Sequence, residues 1–198
     1  MNKKTKNFIL TILGIIYVSL GILAFYNGIK NFGFSGILWF SYFALFIIGL
    51  GILTKKSWLI ASQLCIILIP YIVWNIDFFY VLTTSNSLWG LTDYFFVARP
   101  SLSQLITLQH IFIVPFSLFS IYLIKLKRKD FWKLSFAQIT IFYFLTRVLS
   151  NRQENVNCVF ENCLPFQIHN MIYPVVWFLG YFVMIFLTSF LLSKIKAF

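Results

Sequence analysis

Acidic residues are scarce in this chain: there are five Asp and Glu among 198 residues, against sixteen Lys and Arg. Charged residues of both signs make up only 11%, while 60% of the chain is hydrophobic and the mean hydropathy is +0.86. A soluble domain this small leaves much of its surface wet and needs charge to cover it. The composition therefore excludes a soluble globule and leaves lipid as the solvent. Histidine and cysteine are also few, two and three. No HExxH, GxSxG or CxxC occurs, which removes the usual signatures of zinc proteases, serine hydrolases and dithiol redox proteins. No metal or cofactor is expected. The chain has no internal repeat and no low-complexity tail.

What it has instead is aromatic and basic. There are 25 Phe, 10 Tyr and 6 Trp, and the net charge is +11. A strong positive balance can mark nucleic-acid binding, but here the cations sit in short gaps between long apolar runs and no recognition motif accompanies them. In that setting Lys and Arg orient a membrane protein and meet anionic headgroups. Six apolar runs read as transmembrane helices, at about 8–26, 35–53, 58–81, 104–124, 131–149 and 171–192. The first follows a basic start, as a signal peptide would. Its length is that of a full span and Ala24-Phe25-Tyr26 is no small-residue cleavage site, so it is expected to be a retained span. Gly14, Val18 and Gly21 share a face of that helix, which allows a neighbour to approach closely. Asn27–Phe34 reads as a turn. Pro70 and Pro115 fall inside spans and leave the carbonyls of Ile66 and Ile111 without helical donors.

The stretch 88–98 is apolar, but as a helix it covers only about 16 Å, roughly half the hydrocarbon thickness. With Asp93 inside it, an interfacial or re-entrant segment is expected. Twelve of the sixteen Lys and Arg then fall on one set of connectors, leaving Lys30, Arg99, Arg147 and Arg152 on the other. The positive-inside rule places both termini in the cytoplasm. The expectation is an all-α integral membrane protein, a single domain over 1–198 and a six-helix bundle in the plasma or inner membrane of a bacterium.

That orientation sorts the polar residues. Asp77, Asp93, Glu154, Glu161 and both histidines, His110 and His169, fall toward the outer side. Ser103, Thr107, His110 and Ser117 share one helical face; Gln63, Pro70, Trp74 and Asp77 share another. If the fifth helix continues beyond the membrane, Arg147, Asn151, Glu154 and Asn155 line a third. Ionisable groups at membrane depth usually face protein or a water-filled cavity. The expected arrangement turns these faces together into an outward polar pocket that binds or passes a small molecule, ion or lipid headgroup, with Asp77, His110, Arg147, Asn151, Glu154, Asn155 and His169 as its candidate residues. A second reading is an outward-facing enzyme on a lipid substrate, with His110 as acid or base and Asp77 or Glu154 as its partner. A third is an accessory subunit docking on a larger membrane complex, and homo-oligomerisation is open. Plainer roles stand beside these: an Asp77–Arg147 ion pair, a neutral His110 bonded to a carbonyl, an exposed His169, and Asn155 and Asn157 as turn braces. Cys158 and Cys163 are candidates for a disulfide in an oxidising compartment, and Cys65 for packing inside a span.

Asp77, His110 with Pro115, and Glu154-Asn155-Val156-Asn157 follow an order that resembles small uncharacterised bacterial multi-pass membrane proteins. The likeness runs over about residues 70–175 and implies no activity. The two cysteines after the Asn pair depart from the more apolar residues that the resemblance would place there.

Overall fold

The computed structural model describes residues 2–97, 101–166 and 168–195, and it is all-α, with no strand among them. Arg99, Lys196 and the end of the 88–98 segment at Ala98 lie outside the described residues. Among the described residues eight α-helices follow one another: α1 (Lys3–Phe32), α2 (Phe40–Leu53), α3 (Ser57–Thr84), α4 (Asp93–Phe96), α5 (Ser101–Thr107), α6 (Gln109–Ile124), α7 (Trp132–Leu149) and α8 (Tyr173–Lys194). Four stretches are long and apolar enough to cross a membrane: Lys3–Leu38, Ser57–Thr84, Ser101–Ile124 and Tyr173–Lys194. Helix α2 is apolar too, but its 14 residues reach only about 21 Å, short of the hydrocarbon thickness. Helix α7 is not among the four, and carries Lys133, Gln138 and Arg147 along its 18 residues.

Helix α3 is the axis of the bundle. Every residue from Ile60 to Ile67 is buried, which an amphipathic stripe cannot produce; the helix is surrounded by α2, α6, α7 and α8. Large apolar side chains on the outer helices, such as Ile15 (53%), Val183 (63%) and Phe190 (58%), are exposed, as a lipid-facing surface requires. Two amides meet inside: Gln63 Nε2 donates to Gln138 Oε1 at 2.9 Å, and Gln138 Nε2 returns a bond to Gln63 Oε1 at 3.2 Å. Ser135 Oγ donates to the Ser62 carbonyl at 2.7 Å beside them. In an apolar interior this reciprocal pairing satisfies groups that have no water to turn to.

The turn expected at Asn27–Phe34 is instead the last part of α1, followed by a 3-10 segment at Gly33–Leu38. Close backbone packing explains the difference. A Cβ on Gly28 would collide with the Gly36 carbonyl oxygen, so only glycine lets the two segments touch. Asn27 is buried, and its Oδ1 accepts from Ser103 Oγ at 3.0 Å. Gly14, Gly21 and Gly28 recur every seventh residue along the same helix face, and Gly14 and Gly21 meet Leu53 and Phe46 of α2. Where one continuous helix was expected at 104–124, the chain breaks at Leu108, and the Ile111 amide donates to the Leu108 carbonyl at 3.1 Å.

Candidate functional site

Asp77 lies in the last third of α3 and is fully buried. Its carboxylate faces the segment that folds back after α3. Oδ1 accepts from the amides of Leu88 and Trp89, and Oδ2 from the amide and the hydroxyl of Thr92, all at 2.9 Å. Four donors occupy the lone pairs of both oxygens. Trp74 Nε1 donates to the Tyr94 hydroxyl at 3.1 Å, and Phe78 packs against Phe95 and Phe96. The apolar segment expected to stay at the interface is thus held on α3 by one carboxylate and a set of aromatic rings.

His110 opens α6 just past the break at Leu108. Its ring stacks on Trp74 (centroids 4.7 Å apart, 25° between planes) and lies 4.3 Å from the ring of Tyr71. Nδ1 is 2.7 Å from the Thr107 carbonyl. A carbonyl only accepts, so Nδ1 carries a proton and, in the neutral ring, Nε2 is left as the acceptor. The His110 carbonyl in turn accepts from Asn75 Nδ2 at 2.8 Å, and the same nitrogen donates to the Tyr71 carbonyl at 2.7 Å. Asn75 therefore clamps α3 to α6, and its Oδ1 is buried without a hydrogen-bond partner. No bond joins His110 to Asp77, whose acceptors are taken.

Arg147 belongs to a different group. Nη1 donates to the Tyr143 hydroxyl (3.0 Å) and to the Val159 carbonyl (3.1 Å), and the guanidinium lies over the Tyr143 and Phe160 rings. Helix α7 ends at Leu149, so Asn151, Glu154 and Asn155 do not extend its face. Asn151 and Glu154 instead close a reciprocal turn, each side chain accepting from the other's amide at 2.9 and 3.2 Å. Asn155, at φ +38°, accepts from the amides of Phe160 and Glu161 and donates to the Glu161 carbonyl. Cys158 and Cys163 are joined by a disulfide. Asn157, at φ +55°, accepts from the Phe40 amide at 2.9 Å and donates to the Leu38 carbonyl at 2.7 Å, docking the whole loop onto the start of α2. His169 is exposed, and its Nδ1 accepts from the Met171 amide at 3.4 Å.

Known protein families, curated proteins and solved structures offer no match to this chain.

The residues expected to converge thus divide into three bonded groups. Asp77 goes with 88–92, His110 with Tyr71, Trp74 and Asn75, and Arg147 with 155–160. Among the described residues no cluster of three His, Cys, Asp or Glu could hold a metal ion. Sequence reasoning passed over Asn75, which sits two residues before Asp77 and about 200° around the helix from it, off the face chosen for its acidic residue. An amide at that depth in an apolar run was the available signal.

A groove opens where α3 and α6 diverge. It has a volume of about 410 Å³ and is lined by Tyr71, Ile72, Asn75, Ile76, Phe79, Ile111, Val114 and Pro115. Pro115 cannot donate to the Ile111 carbonyl, so α6 has a gap in its hydrogen-bond ladder beside the groove. The volume lies within the range of small-molecule sites, and the lining is apolar except for Asn75 and the Tyr71 hydroxyl.

Proposed function

We propose that this protein is a non-enzymatic, six-span membrane protein that binds a single amphiphile, a lipid or lipid-like molecule, in the groove between α3 and α6. The carrying observation is the unpartnered Asn75 Oδ1 at the wall of an apolar groove. Its amide nitrogen is already committed to two carbonyls, so the oxygen stays fixed in place as an acceptor. A buried acceptor with no donor costs about 1–3 kcal/mol, and a ligand hydroxyl or amide removes that cost. Ile72, Ile76, Phe79 and Val114 provide apolar contact for a chain lying along the helices. Ordinary annular lipid exchanges freely; a lipid held by a hydrogen bond in a preformed groove does not.

In this reading both termini are cytoplasmic and the loop 150–170 is extracytoplasmic, which accords with cations gathered at one end and a disulfide at the other. The groove then lies in the outer half of the membrane, since Asn75 is eighteen residues, about 27 Å, along α3 from Ser57. Thiol labelling of intact cells after reduction is expected to reach Cys158 and Cys163; labelling only in broken cells would reverse the orientation.

The binding test uses the full chain. Purified protein, washed through detergent, is expected to retain one class of lipid at near-equal stoichiometry, measured by native mass spectrometry. Val114→Trp fills the groove from a half-buried position and should release that lipid while the helical content and unfolding temperature stay near those of the parent. Unchanged retention in the folded Val114→Trp protein refutes the groove as the site.

A further inference from the structure

The opposite end of the bundle holds a second concavity, of about 470 Å³, with a different character. Seven cations line it: Lys3 and Lys6 from the start of α1, Lys55 and Lys56 from the α2–α3 turn, and Lys125, Lys127 and Arg128 from the α6–α7 connection. Its apolar lining is Leu10, Trp58 and Ile124. We propose that this cleft is a binding site for a phosphate-bearing group with two or more negative charges, whether the headgroup of an anionic lipid or a soluble diphosphate.

Orientation in the membrane requires cations near these helix ends, but it does not require them around one hollow. Lys133 and Lys194, which serve the same end on α7 and α8, do not line it. The three segments are held together there. Ser57 Oγ donates to the Lys125 carbonyl at 2.7 Å, Lys55 Nζ donates to Asn7 Oδ1 at 2.9 Å, and the Arg128 guanidinium lies 5.0 Å over the Trp58 ring. Among the described residues one acidic side chain stands close, Asp130, and it is engaged in a two-point bond with Arg128 at 2.8 and 3.0 Å. That bond lowers the Asp130 carboxyl below its ordinary value, so it stays ionised and balances one cation of the seven.

Two helix N-termini add to the positive field. The 28-residue α3 begins at Ser57 within the lining, with no side-chain cap and no acidic residue in its first turn. The Ser57 hydroxyl, which could cap it, is turned to Lys125 instead. Helix α1 begins at Lys3, also in the lining and without an acidic first turn; Asn2 Oδ1 caps it by accepting from the Thr5 amide at 2.8 Å, so α1 contributes its dipole and α3 the open amides. Amide groups, dipole ends and a surplus of cations then act on the same space, the combination that binds phosphate. The geometry of this end is independent of the groove near Asn75, so either reading can fail alone.

The test compares the full chain with three variants in phosphatidylcholine nanodiscs at fixed ionic strength. Inorganic pyrophosphate is titrated by calorimetry. In parallel, the unfolding temperature is compared after replacing part of the lipid with phosphatidylglycerol. Lys6→Gln and Lys127→Gln remove cations at the rim; Lys194→Gln removes one at the same end outside the cleft. A soluble ligand predicts saturable pyrophosphate binding that weakens about tenfold with each rim variant and is unchanged by Lys194→Gln. A headgroup predicts no pyrophosphate binding but a phosphatidylglycerol stabilisation that the rim variants abolish and Lys194→Gln retains. The proposal is overturned by no response to either probe or by equal losses in all three variants, which would mark general electrostatic attraction.

Discussion

Replacing Asp77 tests whether the most buried acidic residue of the chain serves a ligand or its own backbone. Four donors converge on its carboxylate at 2.9 Å. Leu88 is exposed and Trp89 half-buried, so water or lipid headgroups can replace the acceptor for their amides. Thr92 is fully buried, and in Asp77→Ala its amide and hydroxyl lose their partner together. Unsatisfied buried donors cost about 1–3 kcal/mol each, so with two of them the segment 85–97 should open about 2–6 kcal/mol more easily. In hydrogen exchange that is a loss of protection of roughly 30- to 25,000-fold at the amides of Leu88, Trp89 and Thr92, up to the limit set by global unfolding. Asp77→Asn keeps the shape and one acceptor oxygen, but turns a donor toward the Thr92 amide. Its hydroxyl can rotate to accept, leaving one orphan, and the cost should fall to about 1–3 kcal/mol. Unchanged protection at these three amides in Asp77→Ala would refute the anchoring argument. So would an Asn variant that opens more easily than the Ala variant.

Three further substitutions probe the packing that holds the two ends in place. Gly28→Ala should lower stability by about 1–3 kcal/mol in detergent unfolding, because its methyl group meets the Gly36 carbonyl; Gly180→Ala, where a Cβ meets nothing within 4 Å, should be neutral or slightly stabilising. Gln63→Leu strands the buried Gln138 amide and should cost about 1–3 kcal/mol, whereas Gln63→Leu with Gln138→Leu should cost less than the sum of the single changes; strict additivity would deny the pairing. Asn157→Ala removes two bonds to the start of α2 at a positive φ and should cost about 2–4 kcal/mol, with Asn157→Gly recovering about 1 kcal/mol of it by relieving the backbone, as read by thermal unfolding.

The helical class, and the limits of two of the long apolar helices, were legible because composition and run length carry them directly. Ser57–Thr84 and Tyr173–Lys194 lie within three residues of the expected spans. The close face of α1 was legible as well, since glycines at helical spacing have few other uses. Failures came where tertiary contact overrides local signal. Asn27 and Gly28 read as a turn, yet the Gly28–Gly36 contact keeps them helical. Asn151, Glu154 and Asn155 read as a continued helix face, yet positive φ at Asn155, Asn157 and Cys158 curls the chain into a braced loop. Periodicity assumes that a helix goes on, whereas the asparagines at 151, 155 and 157 are turn formers and carried the signal that it stops. The seven basic residues were plain in the sequence, but their shared concavity depends on three segments far apart in the chain.

Counting partners, rather than charges, is what separates structural from available polar groups in this bundle. Asp77, Asn155 and Asn157 look functional by type and depth, but their side chains are engaged chiefly by backbone groups, and Arg147 is held by the Tyr143 hydroxyl and the Val159 carbonyl. An occupied carboxylate cannot also act on a substrate without first releasing the segment that it holds. Asn75 differs: its nitrogen is used twice, its buried oxygen has no donor, and the residue lines the groove between α3 and α6. His110 is positioned by the same clamp, with Nδ1 fixed by Thr107 and its ring set against Trp74 and Tyr71. Loss of Asn75 should therefore disturb binding and the α3–α6 contact together, whereas filling the groove at Val114 leaves the clamp intact. Lipid lost in Val114→Trp without loss of stability, and both lost in Asn75→Ala, is the pair of results expected if the proposed groove site is right.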